Sequence, residues 1–293
     1  MNSHPWMETR PSRLKVLGVY SKRAIFRSLN SKPFLSGDLF ADNAEYVHVP
    51  LAFRYNRSWY KDLKSARVIF CPSENLQEFL QVFGKEITAK VIISGNGDHE
   101  FHTHPSDIPR TVKHLFLQNS FVSDNHLIST LPIGIENFRY GVNGLPWLMG
   151  PGQDNARIKK VLMGPFGLTH PERIAAFEIF SSENEFVDLV LDRTSPRSFA
   201  QKMRKYQFVA AIRGNGVDTH RLWESLYRGC FVLLKDDKWS QSLKKYNLPL
   251  ERIDEWSLKS MERILLTPRN QFVPSKIESL WWPYWRRLIK SYV

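Results

Sequence analysis

The stretch FVAAIRGNGVDTHRLWESLYRGCFVLL, residues 208–234, predicts a strand, a turn, a helix and a second strand in direct succession. Its first five residues are all apolar, which is typical of a strand buried on both faces of a parallel sheet. Residues 213–217 interrupt this run with turn-forming residues. Asp218 or Thr219 is expected to cap the helix with a side-chain oxygen, and Gly229 stands where a helix usually ends. The run therefore predicts one strand–helix–strand unit of a parallel sheet.

The predicted turn has the chemistry of an anion site. A strand that enters a helix through Gly214 and Gly216 leaves backbone N–H groups pointing at the space beyond the turn, which favours a phosphate. Arg221, Glu224 and Arg228 follow at positions i, i+3 and i+7 and share one face of the helix. A carboxylate there can bind two sugar hydroxyls, and a guanidinium can bind a phosphate through two parallel hydrogen bonds.

This run resembles the nucleotide-sugar site of the exostosin-like glycosyltransferases, especially their bacterial and phage members, and of the related fucosyltransferase-like enzymes. The C-terminal half of those proteins carries the pattern Arg-Gly-x-Gly-x-Asp-[Ser/Thr]-x-Arg-x-x-Glu-x-x-x-x-Gly. The residues in the matching places are Arg213, Gly214, Gly216, Asp218, Thr219, Arg221, Glu224 and Gly229. The resemblance is specific within this run and diffuse elsewhere. It implies the GT-B architecture, in which two Rossmann-like, doubly wound α/β domains face each other across a cleft.

The resemblance also implies a function. It indicates a hexosyltransferase-like glycosyltransferase of polysaccharide biosynthesis, which moves a sugar from a nucleotide-sugar donor to a glycan, a lipid-linked acceptor or another hydroxyl. Because no Asp-x-Asp element has a convincing metal setting, fixed cations and helix N–H groups are expected to neutralise the leaving diphosphate without a metal or other cofactor. Lys235 ends the next strand and can reach a phosphate. The residues expected at the donor are Arg213, Gly214, Asn215, Gly216, Asp218, Thr219, His220, Arg221, Glu224 and Lys235.

Polar residues also end strands in the first half of the chain, where an acceptor would approach. Asp98 and Glu100 are candidate catalytic bases for the acceptor hydroxyl. The alternative is that Asp98 caps a turn and Glu100 is solvated. The residues expected to face the acceptor side of the cleft are Asn96, Asn119, Glu136 and Asn137; the alternative is that they only shape turns. The spacing of His99, His102 and His104 on a proline-bounded loop does not suit a metal site, so none is predicted.

The chain of 293 residues is long enough for two domains. Alternating strand and helix patterns predict two α/β domains, over residues 1–150 and 151–275, joined by a loop rich in Gly, Pro and Asn. The resemblance implies that the first is the acceptor-side domain and that the second binds the nucleotide sugar. Cys71 and Cys230 are expected to be free, buried thiols. Since no apolar run reaches about 20 residues and residues 1–21 lack a signal-peptide core, we expect a cytoplasmic protein, either free or peripheral to the inner face of the membrane.

The last segment, residues 276–293, predicts an amphipathic helix. Its apolar stripe has two competing uses: to pack back on the N-terminal domain, or to lie on an anionic membrane. Pro283 either kinks this helix or marks its start. The apolar positions are Ile277, Leu280, Trp281, Tyr284, Trp285, Leu288 and Ile289, and Arg286, Arg287 and Lys290 lie opposite.

The formal net charge of +12 favours anionic partners, among them phosphorylated donors, acidic glycans and lipid surfaces. Nucleic acid is not expected, because the basic residues are scattered and no nucleic-acid-binding motif is present. Two alternatives to an active transferase stay open at this point. One is a non-catalytic basic protein that binds a polyanion or a membrane surface, and the other is a degenerate transferase-like scaffold that binds a nucleotide sugar without transferring it.

Overall fold

The computed structural model describes residues 31–48, 58–151 and 157–293. These residues form two parallel β-sheets of five strands each. The alternating strand and helix patterns therefore predict the α/β class correctly. The run RLKVLGVYS, residues 13–21, also predicts a strand, but it lies outside the described residues. In chain order, the first sheet contains β1 Tyr46–Val47, β2 Val68–Pro72, β3 Val91–Gly95, β4 His114–Leu117 and β5 Ile128–Thr130, and the second contains β6 Ile158–Met163, β7 Val187–Leu189, β8 Tyr206–Ala210, β9 Phe231–Lys235 and β10 Leu250–Ile253.

Helices connect most of these strands. The sequence predicts a helix with Pro171 in its first turn and another that is capped by Ser195, and both are confirmed, over Pro171–Phe180 and Pro196–Arg204. The sequence also predicts that Ser73 caps a helix over residues 74–84, but Ser73 instead begins a short 3-10 turn, and Asn75 precedes the helix Leu76–Phe83. The helices are α1 Gly37–Asp42, α2 Ser58–Ser65, α3 Leu76–Phe83, α4 Pro171–Phe180, α5 Pro196–Arg204, α6 His220–Tyr227, α7 Lys238–Ser242, α8 Leu258–Leu266 and α9 Trp282–Ser291. The 3-10 turns are Ser73–Asn75, Phe138–Tyr140, Pro146–Leu148, Leu243–Tyr246, Pro274–Lys276 and Glu278–Leu280.

The second sheet is doubly wound. Its spatial order is β7-β6-β8-β9-β10, so the direction of winding reverses at β6. Apolar side chains of α4 and α8 pack on one face, and those of α5 and α6 pack on the other. Because the chain leaves β6 and β8 towards opposite faces, a crevice opens beyond the carboxyl ends of these two neighbouring strands, where open α/β sheets bind their ligands.

The first sheet is also covered on both faces, as a parallel sheet requires. Helices α2 and α3 pack on one face, while α1 and α9 cover the other. Its described strands follow one another in chain order without a reversal. The apolar run of residues 127–137 predicts a longer strand than β5, which ends at Thr130 because Pro132 has no N–H to extend the ladder. The two sheets are compatible with two Rossmann-like domains.

The C-terminal helix α9 packs back on the first sheet, in agreement with one of the two uses of its apolar stripe. Trp285 is fully buried, and its ring centroid lies 5.8 Å from that of Phe40 and 5.0 Å from that of Tyr246. Trp282 also meets Phe40, at 5.6 Å. Pro283 lies in the first turn and so marks the start of the helix. None of the helices within the described residues is long and apolar enough to cross a membrane.

One apolar cluster connects the two halves of the chain. It contains Phe40 and Phe116 from the first half together with Trp223 and Tyr227 of α6. The Tyr227 hydroxyl accepts a hydrogen bond from the N–H of Leu35, at 3.0 Å. The side chain of Asn119, which follows β4, accepts a hydrogen bond from the N–H of Asp218, at 2.9 Å. The carboxyl end of the first sheet therefore lies against the turn that precedes α6, which is the turn with the anion-site chemistry.

Candidate functional site

A cavity of about 440 Å³ opens at the carboxyl ends of β6 and β8, where the winding of the second sheet reverses. Residues that follow both strands line it, and Asp98, Ile133 and Asn143 contribute from the first half of the chain. The cavity therefore lies at the crevice that the strand order predicts. Of the residues expected at the donor, those that line it are Gly214, Asn215, Gly216, Asp218, Thr219, His220, Arg221 and Glu224.

The turn between β8 and α6 lies close to the first sheet. The N–H of Gly214 donates to the carbonyl of Gly216, at 3.1 Å. A Cβ atom on Gly216 would stand 2.7 Å from the Asn119 side chain, so this position requires glycine. Thr219 precedes α6, but its side chain makes no capping bond, and its buried Oγ1 has no partner among the described residues. The prediction of a side-chain cap is therefore wrong. Because the cap is missing, the first turn of the helix keeps N–H groups available to a ligand.

Asp218 connects the two halves of the chain. Its carboxylate accepts hydrogen bonds from the N–H of Ile133 and from Nε1–H of Trp223, both at 2.8 Å. Its own N–H donates to the Asn119 side chain, at 2.9 Å. Burial raises the pKa of the Asp218 carboxyl to about 7, although these hydrogen bonds favour the ionised form. The residue thus positions the turn rather than offering free oxygens to the cavity.

Arg213 faces the first half of the chain. Its guanidinium forms an ion pair with Glu100, and the neighbouring Asn215 side chain donates to the Asp98 carboxylate, at 3.2 Å. Both candidate catalytic carboxylates are therefore brought against the turn. Asp98 lines the cavity, whereas Glu100 also lies 3.4 Å from His102. In this arrangement the Glu100 carboxylate pairs with the guanidinium of Arg213, a residue that the sequence predicts at the phosphorylated donor.

Arg221 holds the loop that follows β6. It donates to the carbonyls of Gly164 at 2.7 Å and Pro165 at 3.3 Å, and its guanidinium carbon lies 4.4 Å from the centroid of the Phe199 ring. Burial lowers the pKa of Arg221 to about 10. Its Nε–H is buried and has no partner within the described part of the chain. Such an unpaired donor is costly unless a ligand or a water molecule accepts its hydrogen bond.

Glu224 is a buried carboxylate on the wall of the cavity. It is only 6% exposed, and its charge is balanced by Arg228 one turn later, at 3.6 Å. Arg228 also donates to the carbonyl of Leu148, at 3.2 Å. The pair keeps a charged acceptor oriented towards the cavity, where it can accept hydrogen bonds from ligand hydroxyls.

Two arginines of the cavity were not anticipated from the sequence. Arg173 of α4 donates to the carbonyls of Ile212 and Gly167 and lies over the ring of Phe166, 5.5 Å from its centroid. Burial lowers its pKa. Arg193 follows β7, is exposed, and has no ion-pair partner among the described residues. Both come shortly after the end of a strand, which is the one signal in the sequence that could have pointed to them.

The residues expected on the acceptor side do not line the cavity, and their side chains instead bond to neighbouring residues. Asn96 donates to Asp38 at 3.0 Å, and Asn137 donates to Asn96 at 2.9 Å. Asn119 donates to the carbonyl of Gly97, at 3.1 Å, and Glu136 accepts from the N–H of Asn143, at 2.7 Å. These contacts agree with the alternative in which the residues shape turns.

Three further predictions concern Lys235, metal binding and the thiols. Lys235 is exposed, does not line the cavity, and lies 3.8 Å from Glu172. Over residues 31–48, 58–151 and 157–293, no three His, Cys, Asp or Glu side chains are grouped as a metal site would need. Cys71 and Cys230 are free and buried, as expected.

No model of a known protein family matches this chain, and no curated protein matches it either. The resemblance within residues 208–234 therefore stays a prediction. What the chain does has to be inferred from the chemistry of the cavity.

Proposed function

We propose that the protein is a glycosyltransferase that binds a nucleotide-sugar donor in the cavity between the two sheets. One observation carries the proposal: the cavity, where the winding of the second sheet reverses, brings together three kinds of group. They are the start of helix α6, the guanidinium groups of Arg173, Arg193 and Arg221, and the buried carboxylate of Glu224. The guanidinium groups and the helix N–H groups suit the diphosphate of such a donor, and the carboxylate suits the hydroxyls of its sugar. The resemblance within residues 208–234 supports the same assignment.

The charges of the cavity favour a phosphorylated ligand. Arg193 is free to bind an anion, and Arg221 presents a buried Nε–H without a protein partner. The first-turn N–H groups of α6 add a further set of donors. The volume of about 440 Å³ falls within the range of about 300–1,000 Å³ that is usual for small-molecule sites.

The chemistry proposed for this cavity is a direct transfer. The acceptor hydroxyl oxygen forms a bond to the anomeric carbon of the donor sugar. The bond between that carbon and the phosphate oxygen breaks, and its electron pair leaves with the nucleoside diphosphate. We assign the role of the base to Asp98, because it is exposed and lines the cavity, whereas Glu100 is paired with Arg213. Arg193 and Arg221 stabilise the charge on the leaving group, and Glu224 binds sugar hydroxyls.

Variants of the donor site test this proposal with a panel of nucleotide sugars. Binding is followed by thermal shift, and turnover by release of the nucleoside diphosphate. We expect Arg193→Ala and Arg221→Ala to lower donor binding or turnover at least about tenfold, the cost of one lost charge-assisted hydrogen bond. Glu224→Ala is expected mainly to raise the donor KM. Arg110→Ala, at an exposed position of the first half, is the matched control and should not change either measurement.

The same panel separates the alternatives. Nucleotide-sugar binding without nucleotide release would indicate a scaffold. Salt-sensitive binding to a polyanion, with no effect of any nucleotide sugar, would indicate a basic binding protein. Wild-type transfer in all three donor-site variants would contradict the assignment of the cavity.

Neutralising Glu100 provides a second test. In Glu100→Gln the guanidinium of Arg213 loses its ionised partner, so we expect a nucleoside diphosphate to bind several-fold more tightly, as for one exposed ion pair gained. Isothermal titration with the diphosphate measures this change. Glu100→Gln combined with Arg213→Ala should not show the gain. If Glu100→Gln instead abolishes turnover and leaves the affinity unchanged, Glu100 is the base and Asp98 is not.

A further inference from the structure

Exposed aromatic rings lie on the segment that connects the two sheets. Trp147 is 68% exposed and Tyr140 is 59% exposed, whereas the other Phe, Tyr and Trp side chains that the structure describes are buried or half-buried. We call Phe138, Tyr140 and Trp147 the aromatic platform. Exposed aromatic surface of this kind marks a binding surface more often than an ordinary protein exterior.

The platform is held by contacts on both sides. The rings of Phe138 and Trp147 meet edge to face, with centroids 6.0 Å apart and an interplanar angle of 78°. The carbonyl of Leu148, the residue after Trp147, accepts hydrogen bonds from Arg204 at 2.7 Å and from Arg228 at 3.2 Å. The backbone next to the exposed ring is therefore anchored to the second half of the chain.

The platform and the cavity share one segment of the chain. Asn143 lies between Tyr140 and Trp147 in the chain and lines the cavity wall. Its N–H donates to Glu136, at 2.7 Å, which holds this part of the segment in place. The exposed rings therefore belong to the same segment as one residue of the cavity wall.

The chemistry of the platform favours a carbohydrate. A pyranose ring presents a flat face of C–H groups that stacks on an aromatic ring, while its hydroxyls bind amides and carboxylates such as those of Asn143 and Glu136. A lipid surface would need free cations, but Arg139 already pairs with Asp38 at 3.2 Å and lies over the Tyr140 ring, 5.1 Å from its centroid.

We propose that the aromatic platform is the acceptor subsite and binds the carbohydrate part of the acceptor by stacking on Trp147. This inference rests on the proposed transferase function and gives the acceptor a chemical class. It places the acceptor along the connecting segment, beside the cavity that would hold the donor.

Sugar binding by the full chain tests the inference. Saturation-transfer NMR is recorded with maltohexaose, cellohexaose and chitohexaose as separate probes. We expect at least one of them to bind, Trp147→Ala to weaken that binding at least about tenfold, and Trp147→Phe to restore most of it, since the loss of a stacked ring costs about 1 kcal/mol or more. Leu266→Ala, at a position 74% exposed in the second half, is the control and should bind as the wild type does.

Several outcomes would overturn the inference. They are no binding of any of the three hexasaccharides, equal binding in Trp147→Ala and wild type, or Trp147-dependent binding to phosphatidylglycerol vesicles in place of sugar. Nucleoside diphosphate binding is measured on the same samples and should agree within about twofold between Trp147→Ala and wild type. If the platform binds sugar and the cavity binds no nucleotide, the transferase proposal fails while the carbohydrate site remains.

Discussion

Replacing Trp285 with alanine is expected to lower the free energy of unfolding by about 3–5 kcal/mol, the usual cost of truncating a buried tryptophan. Its side chain is fully buried among Phe40, Phe116 and Tyr246, which belong to both halves of the chain. Its Nε1–H donates to the carbonyl of Ser279, at 2.8 Å. The substitution removes this bond and leaves a cavity under α9. Urea unfolding followed by circular dichroism measures the loss.

Trp147→Ala is the matched control for stability, because it removes the same side chain from an exposed position. We expect it to change the free energy of unfolding by no more than about 0.5 kcal/mol. A loss of less than about 1 kcal/mol in Trp285→Ala would mean that α9 is not part of the cooperative core.

The stability of the protein is expected to depend on pH through Asp218. Burial raises the pKa of this carboxyl from its ordinary value near 3.8 to about 7 in the folded protein. Between these values the folded state holds a proton that the unfolded chain has lost. The free energy of unfolding therefore falls as the pH rises through this window, and this contribution is constant above it. The slope from one such group is at most about 1.4 kcal/mol per pH unit.

Asp218→Asn removes this dependence, because an amide binds no proton in either state. We expect the free energy of unfolding of the variant, measured by urea titration from pH 4 to pH 8, to fall less steeply than that of the wild type. The two curves should differ by a few kcal/mol between the ends of the window. Asp254→Asn, at an exposed position, should follow the wild-type curve. Parallel curves for the wild type and Asp218→Asn would show that Asp218 stays ionised across the window.

Much of the fold could be predicted from hydrophobic runs and turn residues. The unit formed by β8, α6 and β9 matches the prediction closely, and Gly229 adopts the positive φ of 75° that ends a helix. The ends of the elements were less predictable. Pro132 shortens β5, and Ser73 enters a 3-10 turn, because backbone hydrogen bonding rather than residue preference decides where an element stops.

The candidate site was only partly predictable. The turn and helix residues that line the cavity lie within one continuous run, so the spacing of Gly214, Gly216 and Glu224 was enough to identify them. Arg173 and Arg193 come from other segments, and a single sequence does not show that they meet this turn. Arg213 and Glu100 are 113 residues apart, and their pairing depends on how the two sheets pack.

The parts of the protein that could be predicted from the sequence are those that depend on local interactions. They are the strands, the glycine turn and the helix that starts beyond it. The directions of the charged side chains were decided by packing between the halves. The resemblance assigned the Asp218 carboxylate to the binding of the nucleotide-sugar donor, but this group is buried and accepts a hydrogen bond from the N–H of Ile133 in the other half. A hydrogen bond of this kind has no signature in the local sequence, because the partner is chosen by the shape of the assembled core.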